Sequence, residues 1–301
     1  MKVLLTGSNG LLGQKLASLL LTDEAIEPIL TARGNLSTPV GRGQFFPLDI
    51  TDRESVVSTL EKTRPDVVVN SAAMTLVDQC ETHQEDCWRI NVEAVSHLIE
   101  ACRKINGRLI HVSTDFVFDG TNGPLDETAR PNPVNYYGET KLEGEKLVQA
   151  SDISWCVIRT VLVYGITHDM SRSNIVLWVK DSLEAGKAIR VVNDQWRTPT
   201  LAEDLAMGCY LAIKKNATGI YHISGKDFMT PYDLALKTAE FFNLDKRLIS
   251  ATNSQEFRQP ARRPLRTGFV IDKARKELGY EPHSFDDALH VIARQIHSHI
   301  L

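Results

Sequence analysis

The sequence predicts an α/β protein with a Rossmann-type, doubly wound parallel sheet followed by a smaller C-terminal domain. Three observations support this fold class. Short apolar runs alternate with helical stretches through the first half of the chain, a glycine-rich turn follows the first apolar run, and the alternation loosens after about residue 165. The expected domains are therefore residues 1–165 and residues 166–301.

Buried parallel strands are expected in the first half because its apolar runs are short and rich in valine, leucine and isoleucine. These strands are Val3–Leu5, Ile29–Thr31, Val67–Asn70, Leu109–Ser113 and Cys156–Arg159. Helices are expected between them, at Leu11–Leu21, Thr51–Lys62, Glu85–Lys104 and Tyr136–Ala150. Strand–helix–strand units of this kind predict right-handed crossovers, which make neighbouring strands parallel.

The second half has a less regular pattern. Its expected helices are Ser173–Ala185, Leu201–Lys214, Pro231–Phe242 and Phe285–His299, and its expected strands are Ile189–Val192 and Gly219–Ser224. A loop rich in arginine and proline lies at Gln259–Pro264. We expect this half to form a smaller, mixed α/β, substrate-binding domain, with segments around residues 194–225 returning to the main sheet.

The composition excludes several classes of protein. A net charge of -4 offers no general attraction to nucleic acid or to an anionic membrane surface. No stretch approaches the roughly 20 apolar residues that span a bilayer, and the first residues enter a strand directly, so a signal peptide is not expected. The five cysteines are scattered without metal-ligand spacing. These features predict a cytoplasmic protein with reduced thiols and without a metal site.

The glycine-rich turn predicts a dinucleotide site. Gly7 makes the tight turn out of the strand, Gly10 lets the backbone approach a pyrophosphate, and Gly13 lets the helix pack closely on the strand. The free N–H groups of the helix start would bind the phosphates. The turn residues expected to contact the cofactor are Gly7, Asn9, Gly10, Leu11, Leu12 and Gly13. A glycine turn without a ligand is the alternative, disfavoured because this one follows a strand and opens an amphipathic helix.

Two residues bear on which dinucleotide is bound. The place where a carboxylate would bind the ribose 2′-hydroxyl of NAD has Arg33 instead, and a guanidinium suits a 2′-phosphate. We therefore expect NADPH as the preferred cofactor, with NADH as the second choice. Asp49, which closes a strand, is placed to accept from the adenine amino group. Two alternatives to cofactor contact stay open. Arg33 could be a solvated surface residue, and Asp49 could be a structural residue next to a helix N-cap.

Tyr137 and Lys141 are four residues apart in a predicted helix and so lie on one face of it. A phenol has a pKa of about 10, and a nearby ammonium favours phenolate, so the pair could exchange a proton with a substrate. The lysine can also bond the nicotinamide ribose. Thr114, at the end of the strand Leu109–Ser113, would hydrogen-bond a substrate carbonyl. A turn cap is the alternative role for Thr114.

These segments together resemble the extended short-chain dehydrogenase/reductase family, and within it the dTDP-4-dehydrorhamnose reductases. The resemblance covers nearly the whole chain and is most specific from Ser113 to Lys141. It implies NAD(P)H-dependent reduction of the 4-keto group of a deoxythymidine-diphosphate sugar, with Thr114, Tyr137 and Lys141 catalytic. It also implies cofactor contacts at Asp49, Ile50, Ala72, Ala73, Met74, Tyr137 and Lys141.

Three departures from the family pattern concern the substrate. Leu162 occupies a place where an aromatic residue usually packs against the sugar, Phe116 replaces a tyrosine, and Arg197 stands where a glycine is usual. The expected contacts with the nucleotide-sugar substrate are Thr114, Asp115, Phe116, Leu162, Gln195 and Arg197.

Other functions within the resemblance stay open. A 4,6-dehydratase is disfavoured because it needs a carboxylate where Phe116 stands. An epimerase needs only the Tyr/Lys pair and therefore remains an alternative. So does a non-catalytic NADP-binding subunit similar to the β subunit of methionine adenosyltransferase. A homodimer is a further expectation, with the last helix and the helix Glu85–Lys104 as candidate faces.

Overall fold

The structure of the chain is a computed structural model that describes residues 1–37, 40–168, 174–256 and 259–300. Ser173, where a helix was expected to begin, lies outside the described residues. Within the described residues, no helix is long and apolar enough to cross a membrane.

A seven-stranded parallel sheet forms the centre of the molecule and confirms the predicted fold class. Its strand order is β10-β6-β5-β4-β1-β2-β3. Starting from β1, the chain adds β2 and β3 on one side and then, from β4 onward, adds strands on the other side, so the order of addition reverses between β1 and β4. The strands are β1 Lys2–Thr6, β2 Glu27–Ala32, β3 Gln44–Pro47, β4 Val67–Asn70, β5 Arg108–Thr114, β6 Trp155–Thr160 and β10 Gly219–His222. Ligands of open α/β sheets bind at the carboxyl ends of the strands, beside such a reversal.

Helices cover both faces of this sheet. They are α1 Leu11–Thr22, α2 Arg53–Thr63, α3 Val77–Thr82, α4 Gln84–Trp88, α5 Ala94–Ile105, α6 Tyr136–Gln149, α8 Ala202–Lys214 and α10 Asp272–Leu278. Val3 and Leu5 of β1 pack in the core under α1 and α8, whereas Leu4 packs in the core under α2 and α5. Alternate side chains of a strand point to opposite faces, so an unbroken apolar run fills both cores.

A second, smaller unit forms from α7 Ile175–Glu184, α9 Pro231–Phe241 and α11 Phe285–Ile300, with the two-stranded sheet of β8 Ile189–Val192 and β11 Ile249–Thr252. Leu234 and Leu289 lie in one of its apolar clusters, and Val179 and Ala235 lie in the other. The short strands β7 Val163–Tyr164 and β9 Thr200–Leu201 pair with each other near the main sheet.

The predicted helix Glu85–Lys104 is present as one continuous helical stretch, but it contains a turn that the sequence did not predict. A π-helical turn at Arg89–Glu93 separates α4 from α5 and turns Asn91 inward, where its side chain is buried. Such turns inside helices are frequent at functional sites. The strand β3 was not expected because it lies at the edge of the sheet and none of its residues is fully buried. Helix α3 is only six residues long, too short for a periodic pattern.

Candidate active site

The glycine-rich turn connects the end of β1 to the start of α1. A Cβ added to Gly13 would stand 2.1 Å from the carbonyl oxygen of Gly7, so the helix can approach the strand this closely only with glycine there. Gly10 occupies the N-cap position of α1 without a side-chain cap, so no side chain competes for the first helical N–H groups. These features fit a bound pyrophosphate, because free N–H groups and the helix dipole attract anions.

Asn9 joins the turn to the loop after β2. Its side-chain amide donates to the carbonyl of Asn35 at 2.8 Å and accepts from the N–H of Ser37 at 2.9 Å. Arg33 is exposed at the start of this loop. Burial acts to raise the pKa of Asp49, but hydrogen bonds from Thr51 and the charge of Arg33 lower it. The two residues predicted to contact the adenosine end of the cofactor therefore interact electrostatically. Their contacts with a cofactor stay predictions.

The segment Ala72–Met74 lies at the end of β4, and Asn91 holds it in place. The N–H of Met74 donates to Asn91 Oδ1 at 2.9 Å, and Asn91 Nδ2 donates to the carbonyl of Met74 at 3.1 Å. Asn91 Nδ2 also lies 3.2 Å from Thr140 Oγ1 on α6. The π-helical turn thus links a predicted cofactor loop to the helix that carries Tyr137.

Helix α6 carries Tyr137 and Lys141 into the centre of the molecule. Asn135 caps the helix by accepting from the N–H of Gly138 at 2.8 Å. A Cβ added to Gly138 would stand 2.2 Å from the carbonyl oxygen of Phe116, so glycine permits the close approach of α6 to the end of β5. Both side chains are buried, with 7% of Tyr137 and 2% of Lys141 exposed.

Thr114 lies beside Tyr137 and caps the turn that follows β5: its Oγ1 accepts from the N–H of Phe116 at 3.2 Å and donates to Asp115 Oδ1 at 3.2 Å. Burial raises the pKa of Tyr137 well above its ordinary value, and the neighbouring Thr114 hydroxyl lowers this pKa by a smaller amount. In the protein without ligands, burial favours the neutral phenol and so acts against the predicted effect of the Lys141 ammonium, which stays a prediction. Tyr137 is a protonated phenol at neutral pH. In this state it can donate a proton.

Lys141 is held on its other side by β5. Its Nζ donates to the carbonyl of Val112 at 2.8 Å and lies 3.3 Å from His111 Nε2. Burial lowers the pKa of Lys141 to about 8, partly offset by the charge of Glu145. An ammonium with this pKa is charged at pH 7 and becomes neutral within the ordinary working range of enzymes.

Asp115 and Arg197, both expected to contact the substrate, instead contact each other. Arg197 Nε lies 3.5 Å from Asp115 Oδ2, and both side chains are almost fully buried. Arg197 also donates to the carbonyls of Trp196 and Leu265, at 2.9 and 3.2 Å, and Asp115 accepts from Thr267. The structure thus gives both residues a role in holding loops together. Their contact with a substrate stays a prediction.

Phe116, Leu162 and Gln195 differ in their surroundings. The ring of Phe116 meets the ring of Tyr137 edge to face, with 5.7 Å between centroids, and so borders the predicted Tyr137–Lys141 pair. Leu162 follows β6 with a φ of 37°, a conformation unusual for a branched side chain and common at functional sites. Gln195 is buried, with 7% of its surface exposed. Their substrate contacts also stay predictions.

Sequence reasoning missed three polar residues of this site, namely Asn91, His111 and Asn135. His111 interrupts the apolar run Leu109–Val112, and a histidine there is a signal that could have identified it. Asn91 lies in a long polar helical stretch and Asn135 precedes a helix, so neither stands out in the sequence. Among the described residues, no group of three or more His, Cys, Asp or Glu side chains could hold a metal ion.

The parallel sheet, the glycine turn and the Thr114–Tyr137–Lys141 arrangement define an oxidoreductase of the extended short-chain dehydrogenase/reductase class. More narrowly, the chain belongs to the RmlD substrate binding domain family, whose profile matches residues 1–298.

Two curated relatives are similar over most of their length. The probable low-salt glycan biosynthesis reductase Agl14 of Haloferax volcanii is 31% identical over 291 residues, which cover 96% of each chain. The methionine adenosyltransferase 2 subunit beta of Bos taurus is 33% identical over 248 residues, which cover 81% of this chain and 72% of that protein. The relatives of this chain thus include both a protein named as a reductase and one named as a subunit of another enzyme.

Two solved structures share the fold over the whole chain. A dTDP-4-dehydrorhamnose reductase from Clostridium acetobutylicum superposes with a TM-score of 0.89 at 29% identity, covering 99% of this chain and 100% of that one. The dTDP-4-dehydrorhamnose reductase of Bacillus anthracis, solved in complex with NADP, superposes with a TM-score of 0.84 at 25% identity, covering 98% and 99%.

Proposed function

We propose that this protein uses NADPH to reduce the 4-keto group of a dTDP-4-keto-6-deoxy sugar, with NADH as a second cofactor. The observation that carries the proposal is the placement of Tyr137 and Lys141 one turn apart on α6, both buried, beside Thr114 at the end of β5. This arrangement offers a proton donor and a hydrogen-bond partner to a carbonyl at the carboxyl edge of the sheet. The relatives named as dTDP-4-dehydrorhamnose reductases support both the sugar and the cofactor.

NADPH, when bound, supplies the hydride. The turn Gly7–Gly13 and the start of α1 would hold its pyrophosphate, and Arg33 its 2′-phosphate. Tyr137 donates its phenolic proton to the carbonyl oxygen of the sugar as that oxygen gains charge. Thr114 donates a hydrogen bond to the same oxygen, and Lys141 provides a positive charge that stabilises the resulting phenolate. The burial of all three side chains strengthens these interactions, since it lowers the local dielectric.

The residue after Asp115 argues for reduction rather than dehydration. A dehydratase needs a carboxylate beside the Thr–Asp pair to remove water from the sugar, and this position holds the aromatic ring of Phe116. Asp115 itself is engaged by Arg197 and Thr267, and so is not available for this role.

A screen of nucleotide 4-keto sugars with NADPH and NADH tests the proposal. We expect oxidation of NADPH with a dTDP-4-keto-6-deoxy sugar, and a loss of about 10²–10⁴-fold in kcat in Tyr137→Phe with cofactor affinity nearly intact. An epimerase would interconvert sugars without net consumption of NADPH. An absence of turnover by the wild-type protein with every sugar of the panel would reject the reductase proposal.

A regulatory subunit is the second candidate function. The 33% identity to a methionine adenosyltransferase subunit over 81% of this chain favours it, because that relative is named as a subunit of another enzyme and a shared fold does not decide function. This candidate predicts stable binding to an S-adenosylmethionine synthetase, measured by size-exclusion chromatography with light scattering, together with no turnover of keto sugars. The homodimer and the cytoplasmic location also stay predictions, and the same chromatography tests the dimer.

A further inference from the structure

A chain of buried polar side chains extends from the catalytic lysine across three strands of the sheet. Lys141 Nζ lies 3.3 Å from His111 Nε2 on β5, and His111 Nδ1 lies 3.2 Å from Asn70 Nδ2 on β4. Asn70 Oδ1 accepts from Thr6 Oγ1 on β1 at 2.7 Å. Thr6 Oγ1 also accepts from the N–H of Ala72 at 3.2 Å. At most 2% of the surface of His111, Asn70, Thr6 or Lys141 is exposed.

The imidazole of His111 is neutral. Burial and the charge of Lys141 lower the pKa of His111 well below its usual range. A neutral imidazole has one N–H donor and one acceptor nitrogen. An ammonium can only donate, so a charged Lys141 needs His111 Nε2 as its acceptor and the ring proton on Nδ1. That proton must then be accepted by the oxygen of the Asn70 amide.

In the structure the amide of Asn70 has the opposite orientation, with its nitrogen rather than its oxygen toward His111. Its Nδ2 faces His111 Nδ1, which then accepts, and the ring proton lies on Nε2 toward Lys141. This arrangement suits a neutral amine, whose lone pair accepts from Nε2. Rotation of the amide by half a turn presents its oxygen to His111 and suits the ammonium, with Thr6 accepting from Nδ2. The two charge states of Lys141 therefore require opposite tautomers of His111 and opposite orientations of Asn70.

We propose that His111 is a positioning residue for Lys141, and that the tautomer of His111, set by the orientation of the Asn70 amide, controls the charge state of the lysine. The ring nitrogens of His111 face Lys141 and Asn70, so it acts on the reaction through Lys141. The consequence for catalysis rests on the proposed reductase function, because a protonated Lys141 is required there. The coupling itself is a property of the protein without ligands.

Other ionisable groups face Lys141 and contribute to its titration. Glu145 lies one turn further along α6, and Cys87 on α4 lies close to Thr140; both act to raise the pKa of Lys141. Tyr137 precedes the lysine by one turn and keeps its proton. These groups are present in the wild type and in the His111 variants alike, so a difference in the pKa of Lys141 between these proteins is due to His111.

Nuclear magnetic resonance titration of protein labelled with ¹³C-lysine and ¹⁵N-histidine tests the proposal without substrate or cofactor. The Lys141 signal is identified by its loss in Lys141→Met. In the wild type the ring proton of His111 should move from Nδ1 to Nε2 as Lys141 loses its charge near pH 8. His111→Leu removes the acceptor and should lower the pKa of Lys141 by about one unit, whereas His111→Gln supplies a side-chain oxygen and should restore it.

His222→Leu is the matched control, because His222 is equally buried but lies on another strand, β10. Its Nδ1 is hydrogen-bonded to the carbonyl of Leu125. It should leave the titration of Lys141 unchanged. If His111→Leu does not fold, Asn70→Asp serves instead. A carboxylate only accepts, so it holds the Nδ1–H tautomer and should raise the pKa of Lys141. An unchanged Lys141 pKa in His111→Leu, or in Asn70→Asp, would overturn the proposal.

The pH profile of the reaction gives a second readout once a substrate is known. In His111→Leu the alkaline limb of kcat/KM should move to lower pH by about one unit, together with the lysine. A purely structural role for His111 would lower kcat without moving this limb. A lack of turnover in the wild type would reject the reductase proposal but leave the coupling measured by resonance intact.

Discussion

Arg159 on β6 and Glu145 on α6 form a buried ion pair one helical turn from Lys141. Arg159 Nη2 lies 2.6 Å from Glu145 Oε2 and Arg159 Nε lies 2.9 Å from Glu145 Oε1, with 2% and 0% of the two side chains exposed. The pair is bidentate and buried, so each charge depends on the other for compensation. Glu145 also acts on Lys141, whose pKa its charge raises against the effect of burial.

Glu145→Gln should therefore destabilise the protein strongly. It leaves the guanidinium of Arg159 buried without a counter-charge, and we expect the free energy of unfolding to fall by about 3–5 kcal/mol, measured by urea denaturation. Asp152→Asn is the control, since it breaks the ion pair of Asp152 with Arg103 on the exposed surface and should have little effect. Equal small losses in both variants would show that the buried pair is not needed for stability.

Stability should depend on pH through Lys141. Its pKa falls from an ordinary value of 10.5 to about 8 on folding, so between these values the unfolded chain binds more protons than the folded protein. Stability due to this group must then rise with pH across the interval, by about 3 kcal/mol in total.

Lys141→Met isolates this contribution. The variant does not bury a charge, so it should be the more stable protein at pH 7, and its advantage should shrink as the pH approaches 10.5. Urea denaturation of both proteins across this range gives the difference, in which other titrating groups cancel. A difference that does not change with pH would mean that Lys141 keeps its ordinary pKa.

Arg33→Asp should change the cofactor preference from NADPH toward NADH. The substitution removes a partner for the 2′-phosphate and adds a charge that repels it, and the lost charged hydrogen bonds correspond to about 2 kcal/mol, or roughly 30-fold in Kd for NADPH. Fluorescence titration with both dinucleotides measures the change. Arg247→Asp, at an exposed residue of the smaller unit, is the matched control. If the preference stays the same, Arg33 does not contact the cofactor.

Gly138→Ala should impair catalysis more than folding. The added methyl would meet the carbonyl oxygen of Phe116 at 2.2 Å, so the start of α6 must move away from β5 and carry Tyr137 with it. A displacement near 1 Å can cost about 10²-fold in rate, which we expect in kcat. Gly186→Ala is the control for lost stability, because its φ of 67° disfavours alanine while no atom stands near the added Cβ. A kcat equal to that of the wild type would show that this close approach does not position Tyr137.

The sequence by itself determined the fold class, the glycine turn and the placement of Tyr137 and Lys141 on one helix face. These features follow from local rules, since apolar spacing reports which face of a strand or helix is buried and glycine marks close approaches. It failed where the signal was short or polar, as in the edge strand β3 and the π-helical turn that points Asn91 at Met74.

Only the tertiary structure decided how the site residues meet and how they are charged. It pairs Arg197 with Asp115, brings His111 to Lys141 and raises the pKa of Tyr137 through burial. The physical reason is that contacts between distant strands and the loss of water around a buried group depend on the packing of the whole chain. The spacing of two residues predicts that they share a face, whereas their protonation depends on everything packed around them.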